Sequence, residues 1–299
     1  MLYKLKYINE RGESIEFKGN QYDFQEPTEF KNKTTNPFNL IRFEGFGEVG
    51  ANVQLQKAPF QDGSTHIETQ LEERHPYLEF VIVANDWNTL SMYRQTVSQV
   101  FNPKINGRFE VSYDNKTFIL YSIPESVPYF GDEDKVGRSQ IVSINLLCPD
   151  PYWRDPRVIS RALRAYQGRF TLPTTFPVEL GIEGDTTLLT NNGDISAPIT
   201  IDIQGPVTNP QVINKTTGQF IRVNLSLSEN EVLHIDTGRP RKVEIYRDGR
   251  TIENALGYID HYSDFWELSV GPNEVQYIAD AGNANAIVAV AWQNRYVGI

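Results

Sequence analysis

The stretch Leu147-Cys148-Pro149-Asp150-Pro151-Tyr152-Trp153 ends one strand-like run and divides the chain near its middle. Upstream of it, Val142, Ile144, Leu146 and Cys148 recur at every second position, the period of a strand with one buried face. Two prolines then stop the run. Each lacks an N–H and pushes the residue before it toward extended geometry, so neither a central strand nor a helix continues through the stretch. It reads as a strand end and an exit from a domain.

The half before it reads as a β-rich domain with one helix. Strands are expected at residues 2–8, 78–84, 108–113, 117–122 and 140–148, joined by short turns such as Tyr113-Asp114-Asn115-Lys116. The helix is expected from Thr89 to Phe101, where Leu90, Tyr93, Val97, Val100 and Phe101 fall at helical spacing; Asn88 would cap it and Asn102-Pro103 stop it. Residues 25–76 carry less pattern. They are rich in Asn, Thr, Gln and Gly, with turn signals at Asn36-Pro37, Phe43-Glu44-Gly45-Phe46-Gly47 and Asp62-Gly63, and long strands joined by loops are expected there.

After Trp153 the chain places Arg154, Arg157, Arg161, Arg164 and Arg169 ahead of Pro173 and Pro177. A solvated linker, or a strip of salt bridges between subunits, suits this run better than a phosphate-contacting arm, because no further basic density accompanies it. From Ala197 short strands follow one another. Ile199, Ile201 and Ile203 share a face, as do Ile221, Val223 and Leu225, and Val288, Val290 and Trp292. Turn signals recur at Asn209-Pro210, Thr217-Gly218, Thr237-Gly238, Asp248-Gly249 and Gly271-Pro272-Asn273. Short strands at this spacing, without a helix-length apolar pattern between them, indicate a β-sandwich.

Composition narrows the function. The chain has 299 residues, 39% of them hydrophobic, which suffices for two ordinary domains with packed cores. Its net charge of −10 is shared between the two halves, so neither half reads as a basic nucleic-acid binder. The single cysteine, Cys148, excludes an internal disulfide and a cysteine-rich metal site, and its expected role is that of a small buried hydrophobe. Leu2 to Arg11 alternates with charges, so neither a secretory signal nor a membrane span is expected.

Signatures of catalysis are missing. There is no Gly-x-Ser-x-Gly elbow, phosphate-cradling loop, dinucleotide fingerprint or His-Glu-x-x-His helix. His66, His75, His234 and His261 stand far apart, and His261 has carboxylates nearby but no nucleophile. The acidic run Asp132-Glu133-Asp134 lacks the ligand spacing of a calcium loop and reads as a hairpin tip. Trp266 and Trp292 sit in strand patterns and are expected in the core rather than as sugar platforms. No catalytic residue, metal ligand or cofactor is expected.

The hexapeptide Cys148-Pro149-Asp150-Pro151-Tyr152-Trp153, at the end of a strand and ahead of a second all-β segment, resembles the domain junction of the distal tail proteins of long-tailed bacteriophages (siphophages). Downstream, Asn209-Pro210-Gln211-Val212-Ile213-Asn214-Lys215-Thr216-Thr217-Gly218, Leu233-His234-Ile235-Asp236-Thr237, Gly271-Pro272-Asn273 and Trp292-Gln293-Asn294-Arg295-Tyr296-Val297-Gly298 resemble, in order and spacing, the galectin-like second domain of that family. The His-x-Asn-Pro-Arg strand and Trp-Gly-x-x-Glu of sugar-binding galectins are absent, so the resemblance implies the shape and not the sugar site.

These readings together predict a mainly β protein. Residues 1–152 would form an N-terminal β-rich, ring-forming domain with one helix, 153–183 a linker or extension leading into the second domain, and 184–299 a galectin-like β-sandwich. The resemblance implies a structural virion protein, made in the host cytoplasm and carried at the tail tip. It implies a hexameric ring that joins the tail tube protein to a tail-associated central protein and to receptor-binding or baseplate proteins, with DNA only as cargo in the channel. The acidic balance suits such a conduit, since it repels phosphates. Ring contacts between protomers often come from loop-rich segments such as 25–76. Two other readings stand beside this one: a carbohydrate-binding adhesin for host cell-wall sugars, and a polysaccharide hydrolase on a sandwich scaffold.

Overall fold

The computed structural model describes residues 4–18, 36–131, 135–136, 138–163, 186–282 and 286–299, and strands dominate it. The chain divides into two units. The first runs to Pro156 and takes in Val297–Ile299 as well, and the second is Arg157–Tyr296.

In the first unit seven antiparallel strands lie side by side in the order Ser14–Phe17, Lys4–Asn9, Gly107–Tyr113, Lys116–Pro124, Ser139–Leu147, Tyr77–Val83 and Phe38–Glu44. Lys18 then bridges Asn39: its N–H donates to the Phe38 oxygen at 2.9 Å, and its own oxygen accepts from the Leu40 N–H at 2.8 Å. That bridge joins the two outermost strands, so the path closes on itself as a barrel. The alternation of the sequence explains the filling. Leu5, Tyr7, Phe80, Ile82, Phe109, Val111, Val142, Ile144 and Leu146 are all buried, one strand position in two.

The helix is Trp87–Val100, and its expected cap needs correction. Asp86, not Asn88, is the N-cap: its carboxylate accepts from the Thr89 N–H at 2.8 Å and from the Thr89 hydroxyl at 2.7 Å. An Asp one residue ahead of the first turn reaches that orphan N–H, which Asn88, already inside the helix, cannot do. Leu90, Val97 and Val100 form the buried stripe, and Phe101 ends the helix with its ring stacked 4.3 Å from that of Tyr7. Burying Phe101 contributes roughly 1.5–3 kcal/mol. In the hairpin between Tyr113 and Lys116, Asp114 and Asn115 take φ of 46° and 64°. Left-handed geometry at both central positions matches the twist of paired strands, and Asp and Asn tolerate it better than most residues.

The second unit is a β-sandwich. One sheet has the order Ile159–Leu163, Ile287–Trp292, Ile199–Gln204, Val232–Asp236, Lys242–Arg247 and Thr251–Asn254; the other runs Thr186–Asn191, Gly271–Ile278, Gln211–Asn214 and Gln219–Arg222. Ile199, Ile201, Ile203, Val288, Val290 and Trp292 from the first sheet share one core with Leu189, Val212, Ile221, Val275 and Tyr277 from the second. Each strand supplies every second residue to that core, as the spacing predicted.

The stretch expected as a linker or extension into the second domain carries strands where it is described. Arg154 pairs with Ile119 in the first unit, and Ile159–Leu163 is an edge strand of the sandwich, paired with Ile287–Trp292 and carrying Leu163 into the core. Unpaired N–H and C=O groups along Ile287–Trp292 are satisfied by this strand, while Arg161 on it stays exposed. Residues 164–183, with Arg164 and Arg169, lie outside the described residues.

Candidate functional site

Arg74 lies at the centre of the first unit's most unusual arrangement, although nothing in its charged surroundings, Glu72-Glu73-Arg74-His75, sets it apart. Its backbone pairs with Cys148: the Arg74 N–H donates to the Cys148 oxygen at 3.1 Å, and the Cys148 N–H donates to the Arg74 oxygen at 2.8 Å. Its side chain is 1% exposed. The guanidinium donates from Nε to the Pro151 oxygen at 2.6 Å, from Nη1 to the oxygens of Phe46 at 3.1 Å and Glu48 at 2.9 Å, and from Nη2 to the Val297 oxygen at 2.6 Å. All four acceptors are main-chain oxygens. Burial pulls the Arg74 pKa below the ordinary guanidinium value, and the four hydrogen bonds are what keep a buried cation tolerable. Gly45 prepares one side of this cage. Its φ is +75°, and a Cβ there would stand 2.6 Å from the His75 oxygen, so only glycine fits.

The junction hexapeptide is built around the same point. Cys148 is fully buried, and burial pushes its thiol up to about 12. Pro149 is exposed. Asp150 accepts from the Tyr152 N–H at 3.2 Å and pairs with Arg154, Pro151 offers its oxygen to Arg74, and Trp153 is buried with its ring 6.2 Å from that of Phe46. The prolines end the strand, as read from sequence; the hydrogen bonds to Arg74 give the ending its position.

In the second unit the structure joins two of the quoted motifs. Asn214 and Asn273 are fully buried, and the Asn214 amide donates to Asn273 Oδ1 at 3.2 Å. Asn214 Oδ1 accepts from the Thr216 N–H at 3.1 Å and the Thr217 N–H at 3.4 Å, while Asn273 donates to the oxygens of Ser269 at 2.8 Å and Gly271 at 3.0 Å. Gly218 and Gly271 take φ of +76° and +87°, so each closes its turn in a region that favours glycine. Asn209 and Pro210 stand at the opposite end of the Gln211–Asn214 strand. There Asn209 donates to Asp280 at 2.8 Å from the surface, and buried Pro210 gives its oxygen to the Val223 N–H at 3.0 Å. These asparagines staple turns; the geometry offers no reacting centre.

Other candidates disperse. His261 is exposed on a loop, and His234 Nδ1 lies 2.6 Å from Asp202 on the outer face of the six-stranded sheet. Trp266 and Trp292 are 2% and 4% exposed and belong to the core. Among the described residues no cluster of His, Cys, Asp and Glu could hold a metal ion, and no helix is long and apolar enough to cross a membrane. The run Asp132-Glu133-Asp134 lies outside the described residues.

One surface was not read from sequence. Between Phe38–Glu44 and Tyr77–Val83 the chain leaves the barrel as a ribbon of two strands, Ala51–Gln56 and Thr65–Leu71, which among the described residues pair only with each other. Period and register put Ala51, Val53, Thr69 and Leu71 on one side, with Leu55 opposite His66 past a register shift after Gln54, and Asn52, Gln54, Glu68 and Gln70 on the other. Val53 and Leu55 are 49% and 61% exposed, and Phe60 stands fully exposed in the loop between the strands. An amphipathic ribbon with no sheet beneath it is marginal alone, and its apolar face calls for a partner. Alternation was present in Ala51-Asn52-Val53-Gln54-Leu55-Gln56, but its side chains are too small and polar to stand out among the Asn, Thr and Gln around them.

Comparisons with known proteins agree with this architecture. Residues 25–148 match the family model for the phage tail protein RIFT-related domain, and residues 192–296 match that for the C-terminal domain of the siphovirus-type tail component. By sequence alone the chain matches no curated protein. Among solved structures it is similar to the Dit protein of phage SPP1, described as a paradigm of the hub adsorption apparatus in phages infecting Gram-positive bacteria, with 11% identity, 99% of each chain covered and a TM-score of 0.62. It is also similar to a chain of the phage P2 baseplate in its activated conformation with Ca, with 8% identity, 100% of each chain covered and a TM-score of 0.56.

Proposed function

We infer the role of this chain from its family: it belongs to the siphophage distal tail proteins, and it is a component of the tail hub or baseplate of a long-tailed phage. Beyond that, the chain works as the building block of a hexameric ring. The first unit makes the ring wall. The second presents its sandwich to receptor-binding or baseplate proteins, while the tail tube protein and a tail-associated central protein meet the ring along its axis. DNA passes through the channel at infection, and assembly takes place in the host cytoplasm.

The observation that carries the ring reading is the unpartnered ribbon. A ring closes when one patch of each copy meets a different patch on the next and the rotation returns to its start. A projecting element with one apolar face is suited to such a head-to-tail contact, because it leaves its own unit to reach another. Burying Val53 and Leu55 would contribute roughly 1 kcal/mol or more each. The adhesin reading, by contrast, loses Trp266 and Trp292 as stacking platforms, since both are enclosed by the sandwich.

The test is a Val53→Asp, Leu55→Asp chain, weighed by light scattering and imaged by negative stain with the neighbouring tail proteins added. The charges meet water in a free chain, so the thermal midpoint should hold while ring particles disappear. Rings formed by the variant as by the wild type would overturn the assignment of the contact to the ribbon.

A further inference from the structure

Arg74 holds together three parts of the chain that have no reason in sequence to meet. Phe46 and Glu48 lie just before the ribbon strand Ala51–Gln56, and Arg74 itself lies just after Thr65–Leu71, so the guanidinium grips both legs of the ribbon at its root. The Glu72 N–H, which donates to the Gly50 oxygen at 2.9 Å, closes that root. Pro151 lies on the segment by which the chain leaves the first unit, and Val297 is where it has returned to it. The second unit is therefore inserted, in chain order, between two segments held by one side chain.

We propose that Arg74 is a positioning residue that couples the ribbon's root to both covalent links of the second unit, so that the ribbon is set only when the return segment at Val297 is in place. The physical reason is the asymmetry of a buried ion. A guanidinium with all its acceptors is tolerated, whereas one that loses an acceptor has to move toward water, and the remaining carbonyls cannot follow it independently. The planar fork makes the coupling directional, because Nη1 and Nη2 lie in one plane with Nε and none can turn alone. A lysine has no such fork. The proposal stands apart from the ring reading, because it concerns the order of segments within one chain.

Hydrogen exchange on the full chain, followed residue by residue, tests it. Deleting Val297–Ile299 should speed exchange of the Glu72 and Cys148 amides by about tenfold or more, with the Ile201 and Leu233 amides of the sandwich unchanged. Deleting only Gly298 and Ile299 should leave Glu72 exchange no faster than in the wild type, since Val297, now ending in a carboxylate, still offers an oxygen to Nη2. Arg74→Lys should resemble the longer deletion. Unchanged Glu72 exchange after removal of Val297–Ile299 would overturn the coupling, and so would equal loosening by the two deletions. Ring loss in the ribbon variant with these exchange rates intact would separate the two proposals.

Discussion

The Arg74 guanidinium and the main-chain oxygen of Val297 meet at 2.6 Å although 223 positions separate them in the chain. The first unit is thus not a contiguous stretch of sequence: its last piece follows the sandwich. An experiment that cuts the chain at the junction removes an acceptor from a buried cation as well as a neighbour. A first half expressed alone is therefore a weakened form of the first unit.

Cys148 offers a direct probe of that region. It is fully buried with its thiol pushed up to about 12, chiefly by burial, so the native chain should resist a thiol reagent at pH 8 and react once unfolded. Cys148→Ala should cost about 1 kcal/mol or less in denaturant unfolding, while Cys148→Arg should yield no soluble protein. Reductant should change neither folding nor assembly. Rapid labelling of the folded wild type would show that the strand end opens to solvent.

The paired asparagines of the sandwich should behave as staples. Asn214→Ala leaves the Thr216 and Thr217 N–H groups and Asn273 Oδ1 without their partner, at a cost of about 1–3 kcal/mol in urea unfolding. Asn224→Ala, at an exposed position, should stay within about 0.5 kcal/mol. Equal effects of the two changes would remove the argument that the quoted motif records a turn held from inside.

His234 should give the sandwich a pH dependence. Its pKa is raised, first by the hydrogen bond to Asp202, with Asp236 and Glu244 adding to it and burial opposing, and the Tyr246 ring faces it edge-on. A histidine bound more tightly as the cation in the folded state stabilises that state fully below its unfolded value, about 6.5, and the contribution fades as pH rises through the higher folded value. The melting midpoint of the wild type should therefore fall relative to His234→Gln as pH rises above about 6.5, measured by calorimetry in one buffer series. Parallel curves for the two chains would mean that the pair contributes nothing to stability.

Sequence alone determined the periodic part of this protein. Alternation over Lys4–Asn9, Ser139–Leu147, Ile199–Gln204 and Ile287–Trp292 named the strands and their buried faces, because a strand's side-chain period is local and independent of its partners. The proline stops, the Asp114-Asn115 turn and the stripe from Leu90 to Phe101 were legible for the same reason. The quoted motifs also pointed to the family. What the sequence could not carry was the meeting of remote segments. The barrel closes through Lys18 and Asn39, the edge strand Ile159–Leu163 was hidden in an arginine-rich run, and Asn214 finds Asn273 on the neighbouring strand of its own sheet. Arg74 is the plainest case. Its neighbours make it look like one more surface charge, and only the tertiary structure surrounds it with the oxygens of Phe46, Glu48, Pro151 and Val297, since a hydrogen bond to a backbone carbonyl leaves no mark on the identity of the residue that accepts it.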